Sequence, residues 1–211
     1  LARGWRPALG LFSESFWPVV PVELARAAAK NIVVADALLP EISGLESPAA
    51  MGFVLDLPAQ LPLEPGMASV ILDRVQDAGN VGSILRSAAA FGFGQVIALK
   101  GTAALWSPKV LRAGMGAHFG LRLVESMEVE ALNSLTVPIV VTSSHHGAFL
   151  HKKKLTPPCA WDMGHEGQGV SDALMDRSVL KVRIDQPGGE ESLNVAAAAA
   201  ICLYASSIPG S

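Results

Sequence analysis

The order of apolar and polar positions changes period twice within residues 71–101, and that change predicts a strand–loop–helix–strand unit. Val70, Ile71 and Leu72 form a short apolar run that Asp73 ends. Val81, Ile84, Leu85, Ala88 and Ala89 then recur at helical spacing and define one buried face. Asn80 is the expected N-cap and Gly92 the expected stop. The next strand is expected over 95–99. Gly82, Ser83 and Arg86 fall on the polar side of this helix. Gly82 permits close approach of a backbone or ligand, and Arg86 is a cation able to grip a phosphate. An ordinary crossover with a solvated arginine fits the pattern equally well.

Before this unit, strands are expected at 8–12, 32–35 and 52–57, with short helices at 22–30 and 36–42. They make a small α/β layer. Residues 1–4 read as the tail of something already under way, so the layer's first strand and helix are expected to be missing. Three prolines within 58–66 mark a linker. Beyond residue 101, Ser107 and Pro108 open a helix that runs into the small-residue stretch Gly114, Met115, Gly116, Ala117. Tight helix packing or a ligand would each explain that stretch. Strands follow at 121–124, 137–141, 160–163 and 179–184, with helices at 129–135 and 172–176, the latter capped by Ser171. The last helix, 195–205, is almost wholly apolar and is expected to be buried on every side.

Composition narrows the class. Half of the 211 residues are hydrophobic and 17% are charged, as in a globular protein with a substantial core. The formal net charge of −3 excludes a polybasic nucleic-acid binder, so any RNA contact must come from a local patch. Arg3, Arg6, Arg26 and Lys30 read as solvated surface. Cys159 and Cys202 are the only cysteines, and both lie in apolar settings. They predict inert core thiols in a reducing, cytoplasmic compartment. No stretch is long and apolar enough for a bilayer span, and no signal peptide is visible.

Three loops at strand carboxyl ends, 142–150, 164–169 and 185–194, carry the candidate chemistry. His145 and His146 are adjacent, yet no carboxylate or thiol cluster accompanies them, so no metal site is expected. Lys152, Lys153 and Lys154 read as a solvated turn. Dinucleotide and P-loop fingerprints are both absent, as is a nucleophile elbow. The residues alone lead to an α/β protein with a multi-loop pocket for a small, partly apolar ligand.

Residues 77–86 (DAGNVGSILR), 164–169 (GHEGQG) and 192–196 (SLNVA) stand in the order of the three motifs of the TrmH (SpoU) family. The chain resembles those RNA ribose 2′-O-methyltransferases of the SPOUT class over residues 70–205. The resemblance implies a parallel sheet with helices on both faces, closed by a C-terminal trefoil knot, in a catalytic domain spanning 67–211. It further implies S-adenosylmethionine as cofactor, structured RNA (rRNA or tRNA) as substrate, and a homodimer. Residues 1–64 are similar, more loosely, to part of the ribosomal-protein-L30e-like substrate-binding domain.

Carried over by motif, Asn80, Arg86, Glu166, Ser192 and Asn194 are the expected catalytic residues, with Glu166 holding the second-motif loop and orienting the arginine. Thr142, Ser143, Gly164, His165, Gly167, Ile184 and Leu193 are the expected methyl-donor contacts. The chain departs from the pattern at Ala78 and Asp185, where proline is usual, and at Gly114, where serine is usual. A guanidinium is effectively never neutral in a protein, so Arg86 is expected to bind a phosphate and stabilise the developing alkoxide rather than act as base. The competing expectations are an RNA-binding relative that has lost catalysis and a Rossmann-type oxidoreductase. The intact motif residues argue against the first, and the missing glycine fingerprint against the second.

Overall fold

A computed structural model describes residues 4–143, 147–153, 155, 158–189 and 192–207. The chain divides into two compact units, Leu1–Pro58 and Ala59–Ser211. His145, His146 and Lys154 lie outside the described residues.

The first unit holds a three-stranded sheet of β1 (Leu9–Ser13), β2 (Lys30–Val34) and β3 (Met51–Val54), in the order β2-β1-β3. β1 is parallel to β2 and antiparallel to β3. Phe12 is fully buried and packs against Trp17 and Phe53. The helix expected over 22–30 is only one turn, α1 (Val22–Ala25). Its end is fixed by neighbours rather than by propensity: Asn31 Nδ2 donates to the Ala25 carbonyl, and Ala29 N–H donates to Pro7. The chain is thereby turned into β2 earlier than alanine-rich sequence suggests. The helix expected over 36–42 is a 3₁₀ turn followed by α2 (Leu39–Ser43), closed by Gly44 at φ 65°.

The second unit is a seven-stranded sheet in which every pair is parallel. Its strands are β4 (Ser69–Leu72), β5 (Gln95–Leu99), β6 (Arg122–Met127), β7 (Ile139–Thr142), β8 (Ala148–Phe149), β9 (Ala160–Met163) and β10 (Leu180–Arg183). The spatial order is β6-β5-β4-β9-β7-β10-β8, so the two late strands are inserted between earlier ones. Both faces are covered. α3 (Ala78–Ala90), α4 (Pro108–Gly114) and α6 (Val195–Ser207) pack on one face with Val70, Leu72, Val96, Trp161 and Met163. α5 (Asp172–Arg177) lies on the other with Ile71, Ile97, Leu99 and Ala160. Burial on both faces explains why these strands read as continuous apolar runs. The helix expected over 129–135 is a 3₁₀ segment, Val129–Ser134.

The N-cap of α3 lies three residues before the expected one. Asp77 is its N-cap, and its carboxylate accepts the Asn80 N–H at 2.7 Å. Asn80 is therefore in the first turn, and its side chain is released for other work. The other end matches expectation: Gly92 adopts φ 81°, and Phe93 N–H reaches back to the Ala88 carbonyl, a Schellman closure. Gly82 is buried against α4, not on an open polar face. A Cβ there would lie 2.4 Å from the Ala113 Cβ and 2.7 Å from the Gly114 nitrogen. The small-residue stretch after α4 is likewise packing. A Cβ on Gly114 would meet the His118 ring at 2.4 Å, so serine would not fit. Burial lowers the His118 pKa, while its Nε2 meets the Leu105 carbonyl at 2.8 Å.

α6 corrects a further expectation. Ala199, Cys202, Leu203 and Ser206 are buried, but Ile201 is 40% and Tyr204 55% exposed. Among the described residues the helix is covered on one side only. Burial pushes the Cys159 and Cys202 thiols up to about 11 and about 12, which makes both unreactive. No described helix is long and apolar enough to cross a membrane.

Candidate active site

β4 and β9 are neighbours in register, Leu72 beside Met163. The chain leaving β4 crosses to the face carrying α3, and the chain leaving β9 crosses to the face carrying α5. Divergence of this kind marks the switch point at the carboxyl ends of the strands, where open α/β sheets take ligands. β7 and β10 end at the same edge, so Thr142, Ser143 and Ile184 come near the 164–169 loop through strand order alone. Thr142 is the last residue of β7 rather than part of the loop.

The 164–169 loop is a tight hairpin. His165 and Gly169 exchange backbone hydrogen bonds at 3.0 and 2.8 Å. His165 Nδ1 accepts from the N–H groups of Gly167 and Gln168 at 2.9 and 3.2 Å. A Cβ on Gly164 would sit 2.3 Å from Gly169 and Val170 backbone atoms, so only glycine closes this loop. His165 and Gly167 thus act first on the loop's own shape.

Glu166 reaches from this hairpin to the start of α3. Its carboxylate accepts from the backbone of Gln76 at 3.2 Å and of Asp77 at 3.1 Å, and from Asn80 Nδ2 at 3.2 Å. Asn80 Oδ1 in turn accepts from Asn194 Nδ2 at 2.9 Å. Asn194 Oδ1 accepts from the N–H groups of Ala196 and Ala197, which makes it the cap of α6. One chain of side chains therefore ties the 164–169 loop to the N-termini of α3 and α6, and it fixes both amide orientations. Desolvation pushes the Glu166 pKa up, but the N–H donors outweigh it and hold the carboxyl below its ordinary value.

Arg86 stands apart. It is exposed and lines an open groove of about 500 Å³ between α3 and α6, with Ser83, Ser87, Phe91 and Ala197. Six residues of helix separate it from Asn80, about 9 Å of rise. Among the described residues Glu166 makes no hydrogen bond to Arg86. The expected orienting contact is replaced by the contacts to Asn80 and the α3 backbone. Ser192 and Leu193 are exposed just ahead of the α6 cap, and Ile184 is half-buried against the core.

Several residues of this edge escaped the sequence reading. Asp73, almost fully buried, accepts from Arg74 Nε at 2.9 Å and from Ser171 N–H at 2.7 Å. Arg74 also bonds Gln168 at 3.0 Å. This network pins the far side of the hairpin, and it takes the Ser171 backbone rather than the side-chain cap expected there. The side-chain oxygen of Gln186 is buried with no partner among the described residues. The strand-ending Asp73 was the one available signal for the first of these. Among the described residues no group of three or more His, Cys, Asp or Glu could hold a metal ion.

Comparison with known proteins assigns the family. Residues 67–204 match the SpoU rRNA Methylase family. A Bacillus subtilis relative, the 23S rRNA (guanosine(2553)-2′-O)-methyltransferase RlmP, is 32% identical over 166 residues, 77% of this chain and 66% of its own length. The chain thus spans about two thirds of that relative. The 23S rRNA (uridine(2479)-2′-O)-methyltransferase of Streptomyces viridochromogenes is 32% identical over 97% of this chain and 80% of its own. Among solved structures, the Streptomyces viridochromogenes SpoU methyltransferase AviRb in complex with AdoMet superposes with a TM-score of 0.80 at 28% identity, over 98% of this chain and 84% of that one. An AdoMet-bound rRNA methyltransferase from Sinorhizobium meliloti gives 0.80 at 25% identity, over 97% of this chain and 80% of its own. The chain belongs to the SpoU rRNA methylase family.

Proposed function

We propose that this chain transfers a methyl group from S-adenosylmethionine to a ribose 2′-hydroxyl of ribosomal RNA. The observation that carries the reading is the side-chain cluster at the carboxyl ends of β4 and β9, where Glu166, Asn80 and Asn194 lock a glycine hairpin to two helix N-termini. The rRNA enzymes among its relatives favour ribosomal over transfer RNA. The same bacterial relatives support a cytoplasmic location.

The edge fits such a cofactor. Half-buried Ile184 and exposed Leu193 offer apolar surface to a purine. The orphaned oxygen of Gln186 lies in the same loop and lacks a donor among the described residues. Thr142, Ser143, Gly164, His165 and Gly167 complete the proposed lining. When bound, S-adenosylmethionine supplies an electrophilic methyl group on a sulfonium. Glu166, Asn80 and Asn194 would hold the loops that position the donor and the hydroxyl, and alignment of that kind supplies much of the rate of a displacement. Arg86 binds an RNA phosphate and stabilises charge on the attacking oxygen. Ser192 shapes the wall beside Asn194. None of these roles needs a metal ion.

Arg86 lies away from the Glu166 cluster, and that separation supports a homodimer. A second copy covering the α3–α6 groove and the exposed stripe of Ile201 and Tyr204 would bury the uncovered side of α6. The inserted strands β9 and β10 support a trefoil knot in the catalytic unit, and residues 1–64, which contain the first compact unit, are proposed as the L30e-like RNA-binding part. The test is methyl transfer in the presence of EDTA from labelled S-adenosylmethionine to unmodified rRNA transcribed in vitro, followed by nuclease digestion. A 2′-O-methylated nucleoside is expected. Label on a base, or transfer only with added divalent ion, overturns the reading.

A further inference from the structure

A second feature lies at the same sheet edge, on the two strands farthest from β6. Arg183, the last residue of β10, places its guanidinium carbon 3.9 Å from the centre of the Phe149 ring on β8. The Lys152 ammonium is 5.3 Å from the same ring, and His151 stacks on it at 5.5 Å with 29° between planes. Lys152, Lys153 and Lys181 are exposed. Lys181 and Arg183 share a face of β10 because side chains alternate along a strand.

Among the described residues this positive charge has no acidic partner. Ion pairs among the described residues join Arg74 to Asp73 and Lys100 to Glu128, and none involves Lys152, Lys153, Lys181 or Arg183. Arg183 Nε is buried with no partner among the described residues. A chain with a formal charge of −3 has concentrated cations around one aromatic ring. A solvated turn has no need of that ring, whereas nucleic acid uses both parts: cations for phosphates and flat groups for stacking. The position agrees. Arg183 directly precedes Ile184, so a strand of RNA crossing this patch runs beside the proposed methyl-donor loop.

We infer that Lys152, Lys153, Lys181, Arg183 and Phe149 form a docking surface for the phosphate backbone of the substrate RNA, distinct from the reacting groups. The inference rests on the RNA methyltransferase reading and specifies how that enzyme holds its substrate. An arginine stacked on a ring keeps its planar fork for a phosphate, and the lysines supply screened, sequence-independent attraction.

The experiment measures binding of unmodified, fluorescently labelled rRNA transcripts to the full chain across a salt series. Lys152→Gln/Lys153→Gln is compared with wild type and with Lys152→Arg/Lys153→Arg. The glutamine pair should weaken RNA binding roughly tenfold at 0.1 M salt and flatten the log–log salt slope by about 1.4 to 1.8, at about 0.7 to 0.9 per lost phosphate contact. The arginine pair should restore both. Affinity for S-adenosylmethionine and turnover at saturating RNA should not change, so that only KM for RNA rises. An unchanged slope in the glutamine pair overturns the docking surface. Competition by polyglutamate as effective as by polyuridylate overturns RNA as the partner in favour of an acidic protein. Binding needs no turnover: a wild type that binds RNA through these lysines but transfers no methyl group refutes the methyltransferase reading and leaves the docking surface standing.

Discussion

α3 and α6 lie side by side, yet their two ends differ in kind. At the N-terminal end Asn80 is bonded to both Glu166 and Asn194, Glu166 accepts from the backbone of Gln76 and Asp77 ahead of α3, and Asn194 caps α6. Farther along, the same helices part around a groove whose cation, Arg86, is exposed. One end is organised by this chain alone. The other is open among the described residues, and it is the face proposed to meet a second copy. Under the proposed function the difference separates two tasks: shaping the methyl-donor site would be intrinsic to the subunit, and presenting the charged group to substrate would fall to assembly and to RNA.

The largest expected effect comes from removing the cation at the open end. Arg86→Ala touches no buried side chain, so the thermal midpoint and the affinity for S-adenosylmethionine should hold. Methyl transfer should fall by about 10²–10³, the usual loss for one charge-stabilising donor. Arg86→Lys keeps the charge without the planar fork and should recover little. Near-full activity in the lysine variant, measured at saturating RNA, would reduce the role to simple charge and remove the bidentate phosphate contact from the mechanism.

Next in size is the uncovered stripe. Ile201→Asp places a carboxylate where a second copy is proposed to pack, and burying an unpaired charge is costly. Dimerisation should weaken by more than about tenfold, since each 1.4 kcal/mol is a factor of ten. Light scattering across a dilution series reads the mass. A wild-type monomer at micromolar concentration would mean that the groove is simply solvated, and the comparison between the two ends would lose its explanation.

The contrast also marks what could be read from the sequence. The glycine hairpin, the strand runs and the helical periodicity of α3 were legible because each is a local pattern. Asp77 and Asn80 are both good caps, and the choice between them turns on Glu166, 86 residues from Asn80, which takes the Asn80 side chain. Gly82 gave no sign of its partner, the backbone of α4. The apolar surface of α6 was legible but not its fate, since burial by the chain's own core and burial by a partner ask for the same residues. The insertion of β9 and β10 between earlier strands depends on distant pairings that no window of sequence contains.

A subtler change tests the organised end. Asn194→Asp keeps an oxygen for the α6 cap but loses the Nδ2 donor to Asn80, whereas Asn194→Ala loses both. The alanine variant should cost about 1 kcal/mol from the cap, a drop of about 2–4 °C in Tm for a chain of this size. The aspartate variant should retain Tm and lose about tenfold in rate, because a carboxylate facing Asn80 Oδ1 turns that amide away from Glu166. Equal rates in the two variants, measured by single-turnover transfer, would support this division of roles. A rate loss in the alanine variant alone would reduce Asn194 to a helix cap.

The smallest expected effect is a pH dependence at Glu166. Desolvation raises its pKa, but its own backbone N–H together with the donors of Asp77, Asn80 and Gln76 outweighs that and holds the carboxyl below the ordinary value. A group whose folded pKa is depressed contributes stability that is fully present above its unfolded value and lost as pH falls through the folded value. The contribution should therefore be constant from neutrality down to the ordinary carboxylate value and should disappear below it. The residue is exposed, so solvent screening keeps the contribution small. Glu166→Gln replaces an acceptor by an amide whose NH₂ must face an N–H donor, and it removes the titration. The Tm difference between wild type and this variant, followed by calorimetry from about pH 7 to about pH 3, should be flat at first and then shrink toward zero. A difference that grows on acidification would mean that the carboxyl is protonated more readily in the folded chain than in the unfolded one. The hydrogen bonds that lock the hairpin to α3 would then not be those of a carboxylate, and the organised end would lose its central link.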